Sequence, residues 1–356
     1  MVFEHAHFDD HERVVFVRDE DSGLKAIIAV HSTVLGPTIG GCRVRAYADS
    51  DEALTDVLKL SRGMTYKAAM ADLPFGGAKS VILHDPRTPK SRAMLLAMGR
   101  AINNLGGMYT TAEDMGMEED DLRIMRRTTP YVAGLPEDGL GVSPGPLTAL
   151  GVYHGLRAAA RHKLGKNSLR DVHVSVQGAG HVGGPLIESL AADGARITVA
   201  DPDAGLAARM KADFGAEVVE PDAIYDVKAD IFAPCAIGGT LNAATVARLD
   251  VGCVAGSANN QLGDDDAGRM MHEKGILYAP DYVINAGGLI KVSLDVMGMR
   301  HGRNLGEDAV KEKVVRIEDR TAEIFSLASK RGMRPEEAAD HLARERIGKG
   351  KSAWAA

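Results

Sequence analysis

The sequence predicts a two-domain α/β protein: an N-terminal α/β domain built on a mixed sheet, then a doubly wound, Rossmann-like domain, with a cleft between them. Three observations lead there. At 356 residues the chain exceeds what one core comfortably supports. Its opening residues read as an antiparallel hairpin, and its second half alternates strands with helices behind a G-x-G-x-x-G motif.

In the first half, Arg13 to Arg18 and Lys25 to Val30 are β-branched or alternating, and Asp21-Ser22-Gly23 between them is a turn, so the two form a hairpin. The stretch Leu35 to Arg43 contains Gly40-Gly41, which reads as a bulge or turn, or as a place where the backbone closely approaches another group. Leu54, Val57, Leu58, Leu60, Ser61 and Met64 recur at helical spacing, predicting a helix over 51–69 capped by Ser50 or Asp51. Lys67 then lies near its C-terminus. Pro74, Gly76 and Gly77 predict a sharp turn, Ser80 to Leu83 a strand, and Ser91 to Leu105 a helix ending at Gly106-Gly107. Tyr109 to Gly116 reads as a strand running into a loop, with the acidic pair Glu113 and Asp114 at the strand's end and a short helix over 120–127 beyond it. The Gly/Pro-rich run 134–146 reads as a hinge.

Within 64–81, Lys67 and Lys79 stand among alanines, methionines and glycines. Either they snorkel from a helix end and an edge strand, or their head groups are steered into a pocket where desolvation lowers the pKa. Asp114 has a similar pair of readings, as a helix cap or as a carboxylate in that pocket.

The second half begins with a helix over 147–162. Strand Asp171 to Gln177 feeds into Gly178-Ala179-Gly180-His181-Val182-Gly183, a helix to Ala192, and strand Arg196 to Ala200, which ends in Asp201. In that context the glycine motif reads as a dinucleotide site. Gly178 makes the turn, Gly180 admits a pyrophosphate, Gly183 lets the helix pack on the sheet, and free N–H groups at the helix start hold phosphate. Asp201 accepts hydrogen bonds from the adenosine ribose, and no Arg or Lys follows immediately to welcome a 2′-phosphate, so NAD is expected rather than NADP. Strands over 216–219, 231–234, 253–256 and 276–278 continue a parallel sheet. Their ends carry Cys235 and Ala236, Asn259 and Asn260, and Asn285-Ala286-Gly287-Gly288, which are candidates to line the ligand crevice. A long helix over 306–331 and another over 335–347 close the chain. The expected domains are residues 1–133 with the helices of 320–356, for substrate, catalysis and oligomerisation, and residues 134–319, for NAD.

A formal net charge of −7 leaves no basic stripe, which argues against nucleic acid or an anionic membrane as partner. Cys42, Cys235 and Cys253 lack metal-ligand spacing and read as reduced cysteines of a cytoplasmic protein; no metal is expected. The N-terminus has no basic or apolar leader pattern, and no run approaches the roughly 18 apolar residues of a membrane span.

Taken together in this order, 35–43, 64–79, 111–116, 178–183 and 285–288 make the chain resemble the amino-acid dehydrogenases that include glutamate, leucine, phenylalanine, valine and tryptophan dehydrogenases. It looks closest to the branch acting on apolar amino acids. The resemblance implies a homo-oligomer catalysing NAD-dependent, reversible oxidative deamination of an L-amino acid to a 2-oxo acid and ammonia. It implies that Lys67 binds the substrate carboxylate, with Asn259 and the backbone at Gly40 and Gly41. Lys79 is the implied catalytic lysine and Asp114 the proton shuttle. Thr148 and Asn285 are implied near the nicotinamide, and His181, Val182, Cys235, Ala236 and Asn260 join the cofactor side.

The chemistry asks for such a set. Water attacks an iminium carbon after hydride leaves Cα, and a lysine can take the proton near neutrality only where burial and a neighbouring cation lower its pKa. Glutamate-specific relatives place a lysine before the Gly-Gly pair and a serine seven residues beyond the Asn of Asn-Ala-Gly-Gly. Ile39 and Val292 stand there in this chain, so a distal carboxylate would be left unpaired at several kcal/mol. The implied apolar pocket is Ile39, Met64, Ala112, Ala133, Leu289 and Val292. Ala112 with Leu289 mixes the leucine-type and phenylalanine-type patterns, and broad specificity follows. Two alternatives stand beside this reading: a phenylalanine- or tryptophan-type preference, and a catalytically inactive NAD-sensing protein on the same fold.

Overall fold

The alternating residues at the start of the chain pair as a hairpin, β1 (Arg13–Asp19) against β2 (Leu24–Ser32) in antiparallel register from Arg13 opposite Val30 to Asp19 opposite Leu24. The computed structural model describes residues 2–138, 143–301 and 306–354. Beyond the hairpin come β3 (Thr38–Arg45), α1 (Ser50–Met70), β4 (Gly76–Leu83), α2 (Arg92–Asn103), β5 (Tyr109–Ala112) and α3 (Glu119–Arg126). The sheet order is β1-β2-β4-β3-β5. β2 pairs with β4 antiparallel, whereas β3 is parallel to both β4 and β5, so the sheet is mixed as expected.

Strand periodicity decides which helix covers which face. Ile27, Ala29 and Val81 point to one side and bury Leu54, Val57 and Leu58 of α1. Ala26, Ile28, Val30, Cys42 and Ile82 point to the other and bury Met94, Leu95 and Met98 of α2 with Leu122 and Met125 of α3. The cap of α1 is Asp49, whose carboxylate accepts from the Asp51 and Glu52 amides at 2.9 and 2.8 Å, rather than Ser50 or Asp51.

The expected turn at Gly76-Gly77 is not one. Both glycines are the first residues of β4, and the chain reverses earlier, through Asp72, which has φ 50°, and Pro74. Glycine is required here for clearance: a Cβ at Gly76 would lie 1.8 Å from the Ser32 carbonyl oxygen, and one at Gly77 2.0 Å from the Thr65 amide nitrogen on α1.

The second half supplies α4 (Pro144–Ala159), β6 (His173–Gln177), α5 (Gly183–Ala192), β7 (Arg196–Ala200), α6 (Ala204–Phe214), β8 (Glu217–Val218), β9 (Ile231–Pro234), α7 (Ala243–Arg248), β10 (Cys253–Val254), α8 (Asp265–Glu273), β11 (Leu277–Tyr278) and α9 (Asp281–Ile284). Four helices follow: α10 (Gly287–His301), α11 (Gly306–Val315), α12 (Ile317–Arg331) and α13 (Pro335–Trp354). The six strands form a parallel sheet in the order β11-β10-β9-β6-β7-β8, the doubly wound arrangement expected.

Two units result. The first comprises residues 1–142, 291–306 and 343–356, and the second 143–290 and 307–342, so the division falls inside α10 and α13. Residues 320–342, expected with the first domain, belong to the second instead. The reason lies in α12, where Glu318 takes a 2.8 Å contact from His154 of α4 and also pairs with Arg161. Its apolar face of Ile317, Ile324 and Phe325 is buried. The expected hinge at 134–146 includes 139–142, which lie outside the described residues.

Candidate active site

In the first unit, β3 runs between β4 and β5 with Ile39 opposite Gly77 and Thr110, and Gly41 opposite Ala112. Gly40 and Gly41 therefore sit inside a strand, not in a bulge or turn. A Cβ at Gly40 would fall 1.7 Å from the Ala78 carbonyl oxygen, and one at Gly41 would fall 2.7 Å from Asp114 Cβ. The close approach is made by the protein's own backbone, and it gives Asp114 its place.

Lys79 lies on β4 opposite Ala29, and alternation puts Gly77, Lys79 and Val81 on the face that α1 covers. It is 7 % exposed, and its Nζ forms an ion pair with Asp114 Oδ2. Asp114 Oδ1 accepts from the Met115 amide at 2.7 Å, and Arg43 Nη2 lies 3.6 Å from it. Burial pushes the Asp114 carboxyl up, but the charges of Lys79 and Arg43, with hydrogen bonds from Lys79 and the Met115 amide, outweigh it and hold the group below the ordinary carboxylate range. Capping is not its role, since α3 is capped through Glu118 and Asp121. Lys67 is half-buried in the last turn of α1, and Met64, one turn before it, comes within 3.5 Å of where a Gly40 Cβ would stand.

Of the expected apolar residues in this unit, Ile39 and Ala133 are enclosed and Ala112 nearly so, while Val292 is half-buried on α10. Ala112 and Val292 meet around Gly134, whose φ is 89°: a Cβ there would lie 3.5 Å from Val292 Cγ2 and 3.8 Å from Ala112 Cβ.

In the second unit the glycine motif has three distinct geometries. Gly178, at φ 94°, donates its amide to the Ala200 carbonyl at 2.8 Å and abuts Cys235 and Ala236. Gly183 packs so tightly that a Cβ would lie 2.0 Å from the Gly178 carbonyl oxygen, whereas a Cβ at Gly180 would meet nothing within 4 Å. The middle glycine thus faces open space while the other two serve the fold. His181 is exposed and Val182 half-buried at the start of α5. Asp201 Oδ2 accepts from the Ala179 amide at 2.7 Å and Oδ1 from the Asp203 amide at 2.8 Å.

The strand-end candidates of this unit form two small networks. Asn285 Nδ2 donates to the Ser257 carbonyl at 3.1 Å and to Asn259 Oδ1 at 2.9 Å, and its buried Oδ1 has no partner. Asn260, exposed with φ 52°, accepts from the Gly239 amide at 2.7 Å. Thr148 Oγ1 accepts from the Gly288 amide at 3.1 Å, and Leu289 is half-buried beyond it. An open glycine, helix-start amides and an orphaned amide oxygen suit a nicotinamide dinucleotide. Among the described residues, no group of His, Cys, Asp and Glu could hold a metal ion.

The family model described as Glu/Leu/Phe/Val dehydrogenase, dimerisation domain, matches residues 11–131, and that of Glutamate/Leucine/Phenylalanine/Valine dehydrogenase matches 205–353. The chain belongs to this dehydrogenase family. It is 47 % identical to leucine dehydrogenase of Thermoactinomyces intermedius, over 97 % of this chain and 93 % of that protein. It is 44 % identical to phenylalanine dehydrogenase of Bacillus thermotolerans, over 95 % and 88 %. Among solved structures, L-tryptophan dehydrogenase of Nostoc punctiforme superposes with a TM-score of 0.85 at 40 % identity, over 99 % of this chain and all 100 % of that one.

For a dehydrogenase of this family, the sequence alone left out three residues of the first unit. Tyr109 Oη contacts Ser80 Oγ at 2.9 Å and Thr111 Oγ1 at 3.0 Å, and donates to the Gly41 carbonyl at 3.2 Å, bracing the glycine strand from behind. Gly134 opens the space between Ala112 and Val292. Arg43 faces Asp114, and its one visible signal was a charge between the apolar strand residues Cys42 and Val44.

Proposed function

We propose that this dehydrogenase catalyses the reversible oxidative deamination of an apolar L-amino acid to its 2-oxo acid and ammonia, using NAD. The observation that carries the proposal is the enclosed Lys79–Asp114 pair beside the Gly40-Gly41 strand. A bound nicotinamide dinucleotide supplies the acceptor for the hydride that leaves the substrate Cα. The chain's own groups do the rest. Lys67 anchors the α-carboxylate together with Asn259 and the β3 backbone. Lys79 Nζ takes a proton from the attacking water, and Asp114, already a carboxylate, passes protons to and from the leaving amino group without adding positive charge.

Asp201 supports NAD over NADP: a 2′-phosphate would meet the carboxylates of Asp201 and Asp203, with Pro202 between them and no cation adjacent. Gly180, His181 and Val182 hold the pyrophosphate side on the turn and close packing that Gly178 and Gly183 provide. Thr148 and Asn285 lie on the nicotinamide side, where the orphaned Asn285 Oδ1 is a ready acceptor, and Cys235, Ala236 and Asn260 join the cofactor side. Ile39, Met64, Ala112, Ala133, Leu289 and Val292 select an apolar side chain. Methyl-sized differences in such a pocket discriminate by only about 1 to 3 kcal/mol, which supports breadth across leucine, valine, phenylalanine and tryptophan. We extend the proposal to a cytoplasmic homo-oligomer, on its three free cysteines and the dimerisation domain of its family.

The test follows NADH absorbance with a panel of L-amino acids, and with 2-oxo acids plus ammonium. Turnover of apolar amino acids, faster with NAD than with NADP and absent with glutamate, is expected. Tight NAD binding with no turnover of any apolar amino acid would instead support a sensing role.

A further inference from the structure

We propose that Arg43 is the positioning residue for Asp114: anchored on Asp56, its guanidinium is a fixed counter-charge that holds the carboxylate against Lys79 through the proton-transfer cycle. The inference rests on the functional reading above.

Arg43 leaves β3 two residues beyond Gly41. Its Nη1 donates to both Asp56 carboxylate oxygens, at 3.0 and 3.2 Å, and Asp56 Oδ2 is itself held by the Tyr47 hydroxyl at 2.7 Å. One end of the guanidinium is therefore fastened to α1. The other end, Nη2, faces Asp114 Oδ1 at 3.6 Å, beyond ordinary hydrogen-bond length. Arg43 and Asp114 side chains are only 13 and 16 % exposed, so water screens this contact weakly. A charge held at that separation stabilises the carboxylate without occupying its lone pairs. Asp114 is left free to exchange hydrogen-bond partners.

Charge counting shows why such a group is needed. Lys79 and Asp114 together are neutral as ammonium and carboxylate, and when the proton moves on they leave one enclosed negative charge. Arg43 cannot surrender its own proton in a protein, and although Asp56 balances its formal charge, the guanidinium is the group that faces Asp114. Its positive end therefore meets the carboxylate at every stage without competing with Lys79 for the chemistry. The remaining groups around Asp114 do not substitute. Cys42, its neighbour on β3, has its thiol pushed up to about 12 by burial, and burial also pushes the Tyr109 phenol of β5 up. Lys90 is paired with Asp121 at 2.8 Å.

Removing a fixed cation makes every proton on the Lys79–Asp114 pair harder to release. In Arg43→Gln, the acid limb of the kcat/KM profile for amino-acid oxidation should move up on the order of one to three pH units, with NAD affinity unchanged. Arg43→Lys, which keeps the charge, should hold the limb near its original position at a lower kcat. The double variant Arg43→Gln, Asp56→Asn removes the stranded Asp56 charge, so it keeps the test open where the single variant does not fold. Its limb should rise as well, by less than in Arg43→Gln, because the opposing charge of Asp56 is removed with the nearer one of Arg43. A limb that stays in place in the neutral variants, or that moves as far in Arg43→Lys as in Arg43→Gln, overturns the role. Absence of turnover by the unaltered chain would overturn the functional reading itself, which is a different result.

Discussion

Gly41→Ala tests whether strand clearance, rather than chain flexibility, builds the site. The new Cβ would stand 2.7 Å from Asp114 Cβ and 2.6 Å from the Glu113 carbonyl oxygen. Carbon atoms rest at about 3.5 to 4.0 Å, so the Glu113-Asp114 segment must retreat by roughly 1 Å. Lys79 stays behind, because it is fixed in the middle of β4 between β2 and β3. A displacement of that size in a reacting group typically costs on the order of 100-fold in rate. The measurement is kcat and KM for amino-acid oxidation, with NAD binding and thermal unfolding recorded on the same sample. A fall of that order in kcat, with NAD affinity intact because the glycine motif lies in the other unit, is expected. Gly63→Ala serves as the control, since a Cβ there meets nothing within 4 Å and alanine stabilises a helix interior by up to about 1 kcal/mol. A folded Gly41→Ala protein with turnover close to that of the unaltered chain would refute the reasoning.

Three further outcomes are expected. Lys79→Ala should abolish turnover while leaving NAD affinity, read by calorimetry, nearly unchanged; a matching loss of NAD binding would mean that the lysine serves the cofactor. Ile39→Lys with Val292→Ser should confer measurable glutamate oxidation, and complete silence in the same absorbance assay would count against the pocket. His31, buried on β2 with Nδ1 2.8 Å from Thr65 Oγ1, has its pKa lowered to about 4 by burial and by neighbouring His11. The unfolded chain then binds more protons between pH 6.5 and about 4, so stability should fall across that window on acidification by up to about 3 kcal/mol. His31→Gln should flatten that part of a Tm-against-pH curve, and an unchanged slope would show that another group sets it.

Periodicity and local chemistry made much of this protein legible before its structure. The hairpin, the faces of α1 and α2 and the strand–turn–helix around Gly178 all follow from neighbours in sequence. So did the singling out of Lys67 and Lys79, because charged groups in small-residue sequence need a reason, whereas Asp114 stood out only as part of an acidic pair at a strand end until the family resemblance gave it a role. What stayed hidden depends on remote partners. Gly76 and Gly77 read as a turn because glycine has two uses, positive φ and clearance, and the atoms that demand clearance belong to Ser32 and Thr65. The apolar face of α12 announces a contact without naming α4 as its partner. Arg43 carried too weak a mark to be chosen, since its meaning lies in Asp56 and Asp114 together.

The carboxylate of Asp201 does two things at once. At the end of β7 it ties down the Ala179 amide inside the glycine loop, and under the proposed function it also receives the adenosine ribose. Under that proposal, cofactor preference and loop geometry are not independent traits in this chain. A single step toward a phosphate-bearing cofactor at position 201 would loosen the loop that must hold it. Any evolutionary or engineered route to that change passes through a weak intermediate, unless a second substitution first restrains residue 179.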